Sequence, residues 1–140
     1  VNIQYDRKIT NELQLAANAS TVEIAIAKMD IALEEIEERG LTEGYTSVIY
    51  RTPDEDIGYW YDNLKTASDE LKEITPEDDQ LLRSNMLLKL RETILDQGES
   101  GAYVQQPSGI HKYPNNKTWF FAYIISLGLI VTAFRPDHFY

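Results

Sequence analysis

Apolar residues recur at helical spacing along most of the chain up to Gly98. Val22, Ile26, Met29, Leu33 and Ile36 fall three or four positions apart, which puts them on one face of a helix. Ser20-Thr-Val-Glu23 stands before them as a capping box, a hydroxyl and a carboxylate placed to meet the free amides of a helix start. Gly40 supplies the stop. A second stripe runs Trp60, Leu64, Ala67, Leu71, Ile74, after Thr52-Pro53-Asp54-Glu55, where proline sits in a first turn that has no use for its missing N–H. Thr75-Pro76-Glu77-Asp78 repeats that signal, and Leu82, Met86, Leu90 and Ile94 follow towards Gly98. Helices are predicted over 53–73 and 76–97, with the stripes as core rather than ligand surface. Glu34, Glu35, Glu37 and Glu38 fall on the solvated side of the first helix.

After Gly98 the period shortens. Gly101-Ala-Tyr-Val-Gln-Gln106 and Gly109-Ile-His-Lys-Tyr113 read as short strands, and Pro114-Asn-Asn116 as a turn. Residues 118–125 and 129–135 are rich in β-branched and aromatic residues around Ser126-Leu127-Gly128, and predict a hairpin. Gly44–Arg51 is also strand-prone but short. The expected fold is α+β: N-terminal helices, then a small antiparallel sheet with helices on one face. The expected division is a helical accessory segment over 1–44 and an α+β domain over 45–140, with its strands in 101–140.

The apolar run Trp119–Phe134 has a competing reading as a membrane anchor. It is 16 residues long, bracketed by Lys117 and Arg135, whereas a spanning helix needs roughly 20. Ser126 and Gly128 interrupt it, so a buried hairpin without stable membrane insertion is expected.

Charge divides the chain in the same place as the periodicity. Of the protein's net −10, residues 1–105 contribute −12, holding 22 of the 23 acids and 10 of the 13 bases. The remainder has Lys112, Lys117 and Arg135 against Asp137, together with His111 and His138, the only histidines. Such asymmetry suggests separate jobs. There is no cysteine, which excludes disulfides, thiol catalysis and cysteine-bound zinc. Two histidines with no HExxH argue against a catalytic metal, and no cofactor is implied. The chain opens on Val1, as a piece of a longer polypeptide would, and Asp6, Arg7 and Lys8 interrupt any N-terminal secretion signal.

The tail collects the groups that can carry chemistry. Metal-independent RNA cleavage uses the ribose 2′-hydroxyl as nucleophile, with a base for its proton, a cation or hydroxyl on the phosphorane, and an acid for the leaving oxygen. His111 titrates in the useful range. Thr132 can donate to a phosphate oxygen, and Lys112, Lys117 and Arg135 can hold the phosphate. Tyr103 and Tyr113 can stack on an unpaired base.

Lys89-Leu-Arg-Glu-Thr-Ile94, Gly101-Ala-Tyr103-Val-Gln105, Tyr113-Pro-Asn-Asn116, Gly128 and Thr132-Ala-Phe-Arg-Pro-Asp137 follow in an order that resembles the colicin D type of nuclease domain, within the barnase–EndoU–colicin–RelE group of toxin ribonucleases. The resemblance covers the chain from Leu87 onward. It implies a ribonuclease that cuts tRNA, exported as the C-terminal part of a larger antibacterial toxin, acting in the target-cell cytoplasm and neutralised by a cognate immunity protein. Thr132 and Arg135 fall where that family carries active-site hydroxyl and cationic residues on its last strand. Two departures stand out. Phe134 replaces the family's tryptophan, and Asp96-Gln97-Gly98 occupies the place of its helix-end histidine, a role left to His111. The alternative is a non-enzymatic acidic interaction protein, an inhibitor, immunity protein or small phage assembly subunit, whose carboxylates meet a basic partner.

Overall fold

In the computed structural model, which describes residues 6–47, 51–110 and 117–133, the first helix begins earlier than the patterning indicates. A π-helical turn over Asp6–Thr10 leads straight into α1, Asn11–Ala17. Ile9, Leu13, Ala16 and Ala17 bury its inner side.

The next helix, α2, spans Val22–Glu38. Its cap is Thr21, one residue beyond the expected serine, with the Thr21 hydroxyl accepting from the Ile24 amide at 3.3 Å. Its end is a two-bond C-terminal cap: the Gly40 amide donates to the Glu37 carbonyl and the Leu41 amide to the Ile36 carbonyl. Gly40 takes φ +68°, a conformation glycine adopts without a side-chain penalty. Leu41 then folds back into the core with Ile36.

Helix α3 spans Ile57–Lys72 and α4 spans Gln80–Ile94. Both start later than the Pro-led signals suggest, for related reasons. Pro53–Glu55 forms a separate 3-10 turn, and Asp56 is the true cap, its carboxylate accepting from the Tyr59 amide at 3.0 Å. Asp78 is spent on the turn before α4, accepting from the Thr75 amide at 2.6 Å and its hydroxyl at 3.0 Å. That leaves the helix to begin at Gln80.

Helix α4 also ends sooner than expected. Residues Leu95–Gly98 leave it as strand β1, paired antiparallel with β2, Gly101–Val104, in register Leu95↔Val104 to Gly98↔Gly101. Glu99-Ser100 is the tight turn, and Gly101 takes φ +118°. Leu95 and Val104, opposite each other, are the buried pair of this ribbon. The last described element, α5, spans Lys117–Ala133.

Helix α1 packs on α2 and α4, α2 on α3, and α3 on α4. The ribbon continues from α4 and also contacts α1, so helices pack on a small antiparallel sheet and the α+β expectation holds. The sheet is two-stranded among the described residues. One buried cluster joins Ile9, Leu13, Met29 and Ile36 to Ile57, Leu64, Leu71, Leu90, Ile94 and Ile110. The core therefore runs across residue 44, the expected boundary between a helical accessory segment and the α+β domain. Trp60 ties α3 to the chain leaving the ribbon, its indole N–H donating to the Gln105 carbonyl at 2.9 Å. Ion pairs Asp30–Lys72, Glu23–Arg83 and Glu70–Lys89 link the helices across the surface, where solvent and salt screen them and they add little.

The predicted C-terminal hairpin is corrected. Residues 117–133 are helical throughout. Ser126-Leu127-Gly128 lacks the paired turn residues that reverse a two-residue hairpin, and a lone hairpin is marginal in any case. A helix satisfies every interior backbone group within the segment, which outweighs a β-propensity that depends on sheet neighbours. Gly109 and Ile110 belong to a turn rather than a strand; of the short strand expected over Gly44–Arg51, Tyr45 forms one isolated bridge to Asp56, and residues 48–50 lie outside the described residues.

Candidate functional site

Of the residues expected to act on RNA, Tyr103 and Thr132 have described side chains. Lys117 opens α5, with its side chain outside the described set. His111, Lys112, Tyr113 and Arg135 lie outside the described residues, as does the expected turn at Pro114–Asn116.

Thr132 stands on a helix and not on a terminal strand. Its hydroxyl donates to the carbonyls of Gly128 and Leu129, at 3.0 and 2.9 Å. Such back-bonding is the usual resting place of a threonine inside a helix, and it occupies the proton that a phosphate oxygen would need.

Tyr103 is half exposed on β2, as a base-stacking residue should be. Its ring lies over Gly98, close enough that a methyl group there would meet ring carbons at 3.1 Å. Its hydroxyl donates to the carboxylate of Asp96, its register partner, at 3.2 Å. The Asp96 charge, followed by that hydrogen bond, pushes the phenol above its ordinary range. A carboxylate at this position repels phosphate, so the tyrosine's immediate surroundings do not favour RNA.

The cleft between α3 and the segment after β2 is lined by Asp54, Asp56, Tyr59, Trp60, Asn63 and Gln105, among others. Its volume is about 120 Å³, below the roughly 300 Å³ at which small-molecule sites begin.

Carboxylates dominate the outer side of α2. Glu12, Glu34, Glu35 and Glu38 line a shallow depression with Lys8 and Ile31. The cations near it are already engaged. Lys8 and Arg39 both reach Glu35, at 3.2 and 2.7 Å, and Lys28 reaches Glu12 at 2.9 Å. The Arg39 hydrogen bond, with Lys8 behind it, holds the Glu35 carboxyl below its usual range. Glu34 and Glu38 are exposed and take no cation among the described residues. Glu37 accepts from the Tyr61 hydroxyl at 2.5 Å, which, helped by burial, pushes that phenol up to about 12.

Sequence patterning identified this row of glutamates but read it as plain solvated surface. What it missed is the cation bookkeeping, which depends on Lys8 and Lys28 reaching across from positions distant in the chain. Residues 117–133 offer the opposite character, and none of the described helices is long and apolar enough to cross a membrane. No protein-family model, no curated protein and no solved structure matches the chain.

Proposed function

We propose that this chain is a non-enzymatic interaction protein, in which the carboxylate face of α2 receives a basic partner protein. The observation that carries the reading is the unbalanced set at Glu34 and Glu38, exposed beside cations that Glu35 and Glu12 already hold. An acidic face of this kind steers a basic partner and fixes its register.

The ribonuclease reading, with tRNA as substrate and an immunity protein as partner, required Thr132 on a strand beside His111 and Arg135. Thr132 is on a helix with its hydroxyl engaged. That reading, and the toxin export it implies, now rests on the resemblance alone.

Calorimetric titration of the full chain with poly-L-lysine tests the proposal. Glu34→Gln with Glu38→Gln is expected to weaken binding several-fold, while Glu73→Gln with Glu77→Gln, removing the same charge from another exposed region, leaves it near wild type. Equal loss from both pairs would show general charge and no specific face. In parallel, total tRNA incubated with the chain and EDTA is expected to stay intact. Discrete fragments that disappear with His111→Ala would reinstate the nuclease.

A further inference from the structure

Every residue from 121 to 133 on α5 is exposed, Ile125 at 63 %, Leu129 at 65 % and Val131 at 65 %. Successive side chains turn by about 100°. Ile124, Ile125, Leu127, Leu129 and Ile130 are therefore spread around the whole circumference instead of forming one stripe. No charged residue interrupts the sequence between Lys117 and Arg135. A helix that is apolar on all sides is stable when apolar material surrounds it. A protein groove, or a second copy of the helix, covers one side and leaves the other in water. Hydrocarbon covers every side.

The polar atoms of the helix agree with that environment. The Ser126 hydroxyl donates to the Tyr123 carbonyl at 2.8 Å, and the Thr132 hydroxyl to the carbonyls of Gly128 and Leu129. In lipid an unmade hydrogen bond is strongly unfavourable, because no water is present to replace it. Both hydroxyls are satisfied by the helix that carries them.

We propose that α5 is immersed in a lipid bilayer and anchors the acidic helical body to a membrane surface. At 1.5 Å per residue its length is about 25 Å, against about 30 Å of hydrocarbon, a shortfall that local thinning of the bilayer absorbs. Trp119 and Tyr123 fall near one end of the run, and such residues favour the headgroup level. Lys117 and Arg135 bracket it with the charge that suits phosphate headgroups. The body, at −12 over residues 1–105, is repelled by anionic lipid, so the attraction is apolar and survives salt.

Flotation of the full chain with phosphatidylcholine vesicles, and in parallel with vesicles containing phosphatidylserine, at low and high salt, tests this. The protein is expected to float at both, and Ile125→Asp with Leu129→Asp to stay at the bottom of the gradient. In the wild-type protein, brominated phosphatidylcholine is expected to quench tryptophan fluorescence by a component that Trp119→Phe removes. A chain that remains at the bottom, as monomer or as dimer, overturns the proposal. So does binding confined to anionic vesicles and abolished by salt, or a vesicle-bound Trp119 that is not quenched.

Discussion

Tyr61 shows how a single side chain turns the acidic surface into a stability term. Its hydroxyl donates to Glu37, and its proton is held to about 12 instead of the ordinary value near 10. Between those values the unfolded chain has released the proton and the folded one retains it. The contribution is complete below about pH 10 and is lost as pH rises towards 12. Urea unfolding across this window is expected to show the wild-type protein losing stability more steeply than Tyr61→Phe. Parallel curves would mean that the Glu37 contact is not made. Glu23, Glu35 and Asp78 act in the opposite direction. Arg83, Arg39 and the Thr75 amide respectively hold them below the usual carboxylate range, so their contribution fades as pH falls beneath about 4.

At the scale of elements, boundaries follow the polar groups that compete for helix ends. The Pro-led signals at Thr52 and Thr75 were legible as starts, but which carboxylate meets which amide was not. Asp56, rather than Asp54 or Glu55, caps α3 because Tyr45 bridges to Asp56 and fixes its backbone in an extended conformation. Asp56→Ala is expected to cost about 1 kcal/mol of unfolding free energy, read by chemical denaturation. A change within error would show that solvent serves the Tyr59 amide equally well. Apolar periodicity identified the cores of α2 and α3 almost residue for residue, since Val22, Met29, Leu33, Ile36, Trp60, Leu64 and Leu71 are all buried. It failed for Leu82, which is 42 % exposed, since burial along that helix is confined to Leu90 and Ile94, with Met86 and Leu87 packed partly against the core. It failed more fully at α5, where β-branched and aromatic residues imitate a strand and only the surroundings decide between strand and helix.

For the whole molecule, the core does not respect the expected domain boundary. The expected boundary at residue 44 sets off a helical accessory segment, yet Ile9, Leu13, Val22, Met29 and Ile36 supply a large part of the one buried cluster. Removing residues 1–40 is therefore expected to abolish cooperative thermal unfolding, measured by circular dichroism. A truncated chain with a sharp transition would restore the accessory segment. The candidate site was legible only as a row of glutamates, since its unbalanced charge depends on which cations reach across from the π-helical turn before α1 and from the middle of α2. The contrast that does organise the molecule is between a carboxylate-rich body and an apolar helix.

That contrast depends on the conformation of residues 117–133, which also separates the binding reading from the nuclease one. Backbone carbon chemical shifts of the isotope-labelled full chain in lipid nanodiscs measure it directly. Helical shifts running unbroken from Phe121 to Val131 are the expected result. Extended shifts on both sides of Gly128, with cross-strand contacts between the two halves, would contradict the account and return Thr132 to a strand.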